Sequence, residues 1–234
     1  MPSLILRRNG KLMPPLLSTS PSHDTHQFLS ELYAGAPKDQ WLTLFSLDRA
    51  TGRPGIRWHQ VSCIEEMVDE AQIMAESACV WFGIATRKER LRAGRGGAED
   101  CGYIPAIWCD IDVQGPNHRA TNLPPTMDAA RELIAKHPKP PNFVVETGGG
   151  LQPYWLLDAP AKVGDEMVEF LDKWRQTWQD YSEERGWTID NTWDIARRLS
   201  PVEWCGSCRV PTVLASTVSR FGCVDRLGSN CIGG

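Results

Sequence analysis

The chain has 234 residues, 41% of them hydrophobic and 23% charged, and a formal net charge of −4. That apolar content supports a real core and excludes wholesale disorder, while the slight acidity excludes a protein that coats nucleic acid by bulk charge. The apolar run Cys79 to Ala85, with Gly83 inside it, is too short to span a bilayer, and Leu4-Ile5-Leu6 before Arg7-Arg8 does not make a signal peptide. A cytoplasmic chain with no membrane partner is therefore expected. In that compartment the eight cysteines are expected as thiols or metal ligands rather than disulfides.

Residues 1–23 are rich in Pro, Ser and Leu without periodicity and read as a flexible arm. A short helix is expected from Asp24, burying Phe28, Leu29 and Leu32. Strands follow at Trp41 to Leu47 and Ile56 to Val61, joined by a turn at Asp48-Arg49-Ala50-Thr51-Gly52. From Ile64 to Ala75, the residues Ile64, Met67, Val68, Ala71 and Met74 recur at helical spacing. A strand at Cys79 to Ala85 leads into a polar, Gly-rich stretch from Thr86 to Asp100. Then come a strand at Tyr103 to Val113, a helix from about Thr126 to Lys136, and strands at Phe143 to Thr147 and Gln152 to Leu157. A long helix near Lys162 to Glu184 sets Val163, Met167, Phe170, Leu171, Trp174, Trp178 and Tyr181 on one face. Alternating elements with hairpins among them favour α+β over a purely parallel sheet. From Ser200 onward charge is sparse, four cysteines gather and no strand or helix period stands out.

The most informative stretch is Ala106-Ile107-Trp108-Cys109-Asp110-Ile111-Asp112-Val113. Strand alternation turns Ile107, Cys109, Ile111 and Val113 to a core and puts Trp108, Asp110 and Asp112 on the opposite face. Two carboxylates so placed stand roughly 6.5 Å apart. At an effective dielectric near 20 they repel by about 2.5 kcal/mol, which a shared cation would relieve. Hard ions such as Mg²⁺ or Mn²⁺ suit these oxygens, and two solvated aspartates at a strand end are the plainer alternative.

Phe143 to Trp155 reads as strand, tight turn and strand, with Gly148, Gly149 and Gly150 at the turn. Such glycines serve a hairpin, or let backbone N–H groups approach a triphosphate. No Gly-Lys-Ser/Thr follows, so this is not a Walker loop. Gln152 could donate its amide to a phosphate or hydroxyl. After the long helix, Asp190 ends a short apolar segment and could complete a three-carboxylate cluster; Asp194 could do so instead, or simply cap a turn. Arg197 and Arg198 could pair with phosphates or remain solvated.

Taken together, Trp41 to Leu199 resembles the archaeo-eukaryotic primase superfamily, in particular the primase–polymerase domains of phage and plasmid replication proteins. The resemblance rests on three motifs in order: Asp110-Ile-Asp112, the turn Thr147-Gly-Gly-Gly-Leu-Gln152, and the acid Asp190 after a long helix. It implies a domain over 24–199 with an RRM-like, mostly antiparallel catalytic sheet flanked by helices, plus an N-terminal αβ extension. It further implies template-directed nucleotidyl transfer from nucleoside triphosphates, with Asp110, Asp112 and Asp190 as catalytic ligands of two Mg²⁺ or Mn²⁺ ions. Gly148, Gly149, Gly150, Gln152 and Arg197 would position the triphosphate. Single-stranded DNA template and a replicative helicase are the implied partners.

Two features depart from the family pattern. Gln152 stands where His is commonest, and Ser200 stands where the family places a second Arg, with no Pro-Gly-Thr after it. The segment 200–234 accordingly reads as a degenerate or out-of-frame tail, and a catalytically inactive nucleic-acid-binding remnant is the alternative function. The basic segment Arg87-Lys88-Glu89-Arg90-Leu91-Arg92-Ala93-Gly94-Arg95 reads in isolation as a solvated loop. Through the resemblance, Arg87, Lys88, Arg90, Arg92 and Arg95 are expected to hold template phosphates. Cys205-Gly-Ser-Cys208 has no matching second pair, so zinc is not expected.

Overall fold

The computed structural model describes residues 21–115 and 120–189, and the backbone of short strands at 7–8, 11–12, 199–200 and 213–215. In chain order the elements are β1 (Arg7–Arg8), β2 (Lys11–Leu12), α1 (Pro21–Leu32), β3 (Trp41–Asp48), β4 (Pro54–Gln60), α2 (Ile64–Ala75) and β5 (Ala78–Gly83). They continue with β6 (Tyr103–Trp108), β7 (Ile111–Asp112), α3 (Met127–Ile134), β8 (Phe143–Glu146), β9 (Gly150–Lys162), α4 (Asp165–Glu183), β10 (Leu199–Ser200) and β11 (Val213–Ala215). One sheet has the order β10-β5-β3-β4 and the other β11-β8-β9-β6, with β7 also on β9. Every pairing between these strands is antiparallel. The fold is therefore α+β, with antiparallel sheets flanked by helices. Among the described residues no helix is long and apolar enough to cross a membrane.

The α2 helix runs where its apolar spacing puts it, with Ile64, Met67, Val68, Ala71 and Ala75 buried. The 48–52 turn closes as its composition requires: the Asp48 carboxylate accepts from the Ala50 and Thr51 amides and from the Thr51 hydroxyl. Those bonds, led by the Thr51 hydroxyl, hold the Asp48 carboxyl below its usual range. Several boundaries differ from the sequence reading: the 103–113 strand divides into β6 and β7, and β9 runs from Gly150 to Lys162 rather than from Gln152 to Leu157. The 1–23 arm includes the β1–β2 pair, and α1 starts at Pro21 rather than Asp24. In the tail, β10 adds to β5 and β11 adds to β8, although neither shows a side-chain period. An open sheet edge offers backbone hydrogen bonds that a passing chain can fill whatever its side chains, which is why alternation missed them.

The α1 helix joins the two sheets. Its Phe28 ring packs edge-on against Phe82 of β5 at 6.0 Å and against Phe143 and Tyr154 of the second sheet at 5.4 and 5.1 Å. Just beyond it the buried Tyr33 hydroxyl donates to the Gly83 carbonyl at 2.7 Å, and burial pushes that phenol well above its ordinary range. On the far face of the second sheet, Trp174 and Trp178 of α4 meet Trp155 of β9 at 4.9 and 5.4 Å, and His137 lies within 5.8 Å of all three rings. Three of the chain's ten tryptophans thus form one aromatic layer with His137.

Burial in that layer holds the His137 imidazole below its ordinary pKa, outweighing the bond it makes to the Lys139 carbonyl. Its unfolded form binds a proton below about pH 6.5, whereas the folded form resists until lower pH. Stability is therefore expected to fall as pH drops from 7.5 to 5.5, and His137→Gln is expected to flatten that fall. Urea midpoints across the range test this; identical pH profiles for the two proteins would refute it.

Candidate active site

The first motif is built where β6 gives way to β7. Ile107, Cys109 and Ile111 are fully buried, as alternation requires, and Val113 nearly so. The opposite face differs from a solvent face. Trp108 is only 4% exposed and Asp110 only 9%, and on the same face Phe28 of α1 packs against Tyr154, the residue opposite Trp108. Asp112 alone of the three is partly open. Solvated aspartates at a strand end therefore do not describe Asp110. Burial, with the Asp110 charge adding to it, pushes the Cys109 thiol well up and keeps it protonated. The α4 helix fixes the strand end just before Asp110, since the Trp174 indole N–H donates to the Trp108 carbonyl at 2.8 Å.

Register brings the second motif to the first. Trp108 pairs with Tyr154, Ile111 with Leu151 and Asp112 with Gly150. Between them the Cys109 amide donates to the Pro153 carbonyl at 3.3 Å, so the register is unbroken and Asp110 falls opposite Gln152. Directly opposed residues share a face in an antiparallel pair, so Asp110, Asp112, Gln152 and Tyr154 lie on one side of the sheet. Gln152 is fully buried, and its carbonyl oxygen accepts from the Tyr154 hydroxyl at 3.0 Å. That bond turns Oε1 toward Tyr154 and so fixes the orientation of the amide.

The three glycines of the turn differ in what they do. Gly148 has a φ of +85°, which few other residues adopt. The Gly149 carbonyl accepts from the Val113 amide at 2.9 Å, clipping the turn to the end of β7. A Cβ on Gly150 would run into the Ile111 carbonyl and stand 2.9 Å from the Asp112 Cα. The Thr147 amide closes the turn on the Gly150 carbonyl at 3.0 Å, and Arg131 of α3 pairs with Glu146 at its base. Sequence reasoning missed Tyr154, Trp174 and Arg131; Trp174 and Arg131 act through partners 66 and 15 residues away, and Tyr154 through Gln152 two residues along its own strand.

Asp190 and Arg197 lie outside the described residues, as do Asp194, Arg198 and the cysteines Cys205, Cys208, Cys223 and Cys231. Among the described residues no three His, Cys, Asp or Glu side chains gather to hold a metal.

The basic segment is not one solvated loop. Arg87 is 2% exposed and exchanges both backbone hydrogen bonds with Trp41. Its guanidinium donates to the Gly97 carbonyl at 3.0 Å and sits 2.6 Å from the Cys101 sulfur. It is therefore an anchor at the neck of the loop, and its expected role as a template contact is corrected. Alternating charge in a linear segment carries no record of which arginine turns inward. The Lys88 ammonium donates to the Glu99 carbonyl, Arg90 and Arg92 are exposed, and Arg95 lies over the Phe45 ring. Arg87→Ala is expected to cost about 2 kcal/mol of stability. An unchanged thermal midpoint for that variant would contradict the anchoring role.

No family model matches the chain, and no curated protein matches it. Two solved structures similar to it are both of a primase. One is the catalytic domain of primase RepB′ in complex with initiator DNA, at 14% identity and a TM-score of 0.45, covering 82% of this chain and 84% of that one. The other is primase RepB′, at 15% identity and a TM-score of 0.45, covering 82% of this chain and 56% of that one.

Proposed function

We propose that this chain is a primase–polymerase-type nucleotidyltransferase, forming phosphodiester bonds from nucleoside triphosphates on a single-stranded DNA template. The observation that carries this reading is the register that sets a nearly buried carboxylate, Asp110, opposite Gln152 and sets Asp112 opposite Gly150. Two hard oxygen donors on one sheet face suit Mg²⁺ or Mn²⁺ better than a softer ion. Asp110 and Asp112 would hold the divalent ions, with Asp190 as the third acid. When bound, such ions lower the pKa of the attacking 3′-hydroxyl and stabilise the leaving pyrophosphate.

The chain's own contribution is position and charge. The Tyr154 hydroxyl orients the Gln152 amide so that N–H donors meet acceptor oxygens of the triphosphate, and Gly148 and Gly149 keep the turn low enough for a phosphate to approach. Arg197 would add a charge-assisted contact. Arg90, Arg92 and Arg95 would meet template phosphates, each contributing about 0.7 to the log–log salt slope for a single strand. Neutralising all three is expected to flatten that slope by about two units, and an unchanged slope would remove the loop from the template path.

Primer extension with labelled nucleotides and Mn²⁺ tests the activity directly. The alternative, a nucleic-acid-binding remnant, draws on Ser200 standing where the family pattern has an arginine. It predicts DNA binding with no incorporation in the same assay. A replicative helicase partner and a cytoplasmic location accompany the primase reading.

A further inference from the structure

We propose that the outward face of the β10-β5-β3-β4 sheet is a stacking platform for single-stranded nucleic acid. Alternation divides this sheet into two unlike faces. Leu42, Leu44, Val80 and Phe82 are fully buried in the core. On the other face Phe45 stands opposite Trp81 of β5, and one row along, Thr43 stands opposite Trp58 of β4 with Gly83 at its other side. Phe45, Trp58 and Trp81 are each partly open to solvent, whereas Thr43 is covered.

The relief of this face suits flat ligands. A Cβ on Gly83 would meet the Thr43 hydroxyl at 2.6 Å, so Thr43 and Gly83 pack closely beside the ring row, where both are buried. The Phe45 and Trp81 rings lie 5.5 Å apart, tilted by 39°. The Arg95 guanidinium carbon sits 4.7 Å over the Phe45 ring. A guanidinium on an aromatic ring presents one continuous π surface on which a base can stack, and it brings a positive charge to the phosphates.

Charge decides the occupant. Arg95 sets a cation on the ring row itself, and the exposed Arg90 and Arg92 belong to the same loop. An apolar protein partner would gain from the rings but would have to desolvate these arginines, whereas a single strand uses both. The platform is also joined to the candidate active site, because the Thr86 amide donates to the Tyr103 carbonyl at the start of β6, the strand that leads to Asp110. Identifying the bound strand as template rests on the proposed activity; the platform itself does not.

The test is fluorescence anisotropy of the full chain with a dye-labelled dT 12-mer and an abasic 12-mer of equal charge. Wild-type protein is expected to bind the dT strand roughly tenfold or more tightly than the abasic one, because each stacked base adds to affinity without adding charge. Phe45→Leu combined with Trp81→Leu is expected to remove that preference while leaving the salt slope unchanged. Trp81→Phe, which keeps a ring, should stay within about twofold of wild type. Equal affinity of the wild-type protein for the two strands would overturn the platform, and needs no variant to fold. So would a double variant of normal thermal midpoint that retains the preference. Protein that shows the ring-dependent preference but incorporates no nucleotide would overturn the proposed activity and leave the platform standing. An active enzyme without the preference would do the reverse.

Discussion

Asp110→Asn is expected to lower nucleotide incorporation by on the order of 10³-fold or more, with the fold intact. The substitution keeps size and shape and removes the charge of a side chain only 9% exposed. Losing one preorganised electrostatic group from a dry site typically costs 10²–10³ in rate, and a ligand to the ions that carry the charge should cost at least as much. Binding offers a second readout. Mn²⁺ is expected to raise the thermal midpoint of the wild-type protein, since an ion that binds only the folded state stabilises it, and to leave the Asp110→Asn midpoint unmoved. Full incorporation by Asp110→Asn would remove the carboxylate site. Loss of activity together with an unaltered Mn²⁺ response would make Asp110 structural.

The legible parts of this molecule are those governed by local period. The α2 helix and the strands β3, β4 and β5 follow from alternation and spacing, and so does burial of Ile107, Cys109 and Ile111. Asp110, Asp112 and the glycine turn could be singled out because carboxylate pairs and glycine runs are unusual on apolar strands. What sequence period does not carry is the second covering of a sheet. Alternation places Trp108 and Asp110 opposite the core, yet both are buried and Phe28 of α1 packs against Tyr154 on that face, and no pattern within residues 103–113 encodes a helix some eighty residues earlier. The same holds for Arg87, whose partners Gly97, Cys101 and Trp41 assemble only when the loop closes. His137 is a third case: its neighbours on β9 and α4 turn an ordinary histidine into part of an aromatic layer.

Gly150→Ala is expected to be the most disruptive single methyl group in the site. The glycine lies in β9 directly opposite Asp112, where β7 and the turn approach each other. An added Cβ would collide with the Ile111 carbonyl and press to 2.9 Å on the Asp112 Cα. Both obstacles are backbone, so no side-chain rotation relieves them, and β7 must move away from β9. Overpacking of this kind costs roughly 1–3 kcal/mol, and a clash against two backbone groups belongs at about 3. The displacement would also carry Asp112 off its position opposite the turn. Misplacing a catalytic group by about 1 Å can cost on the order of a hundredfold in rate, so activity should fall further than stability. Gly148→Ala is the informative contrast. Its cost is backbone strain at φ +85°, about 1–2 kcal/mol, with β7 left in place. Thermal midpoints and incorporation rates measured side by side separate the two. If Gly150→Ala retains near wild-type activity while Gly148→Ala loses it, the turn contributes through its own conformation. The close approach of Gly150 to Asp112 would then have no part in the chemistry.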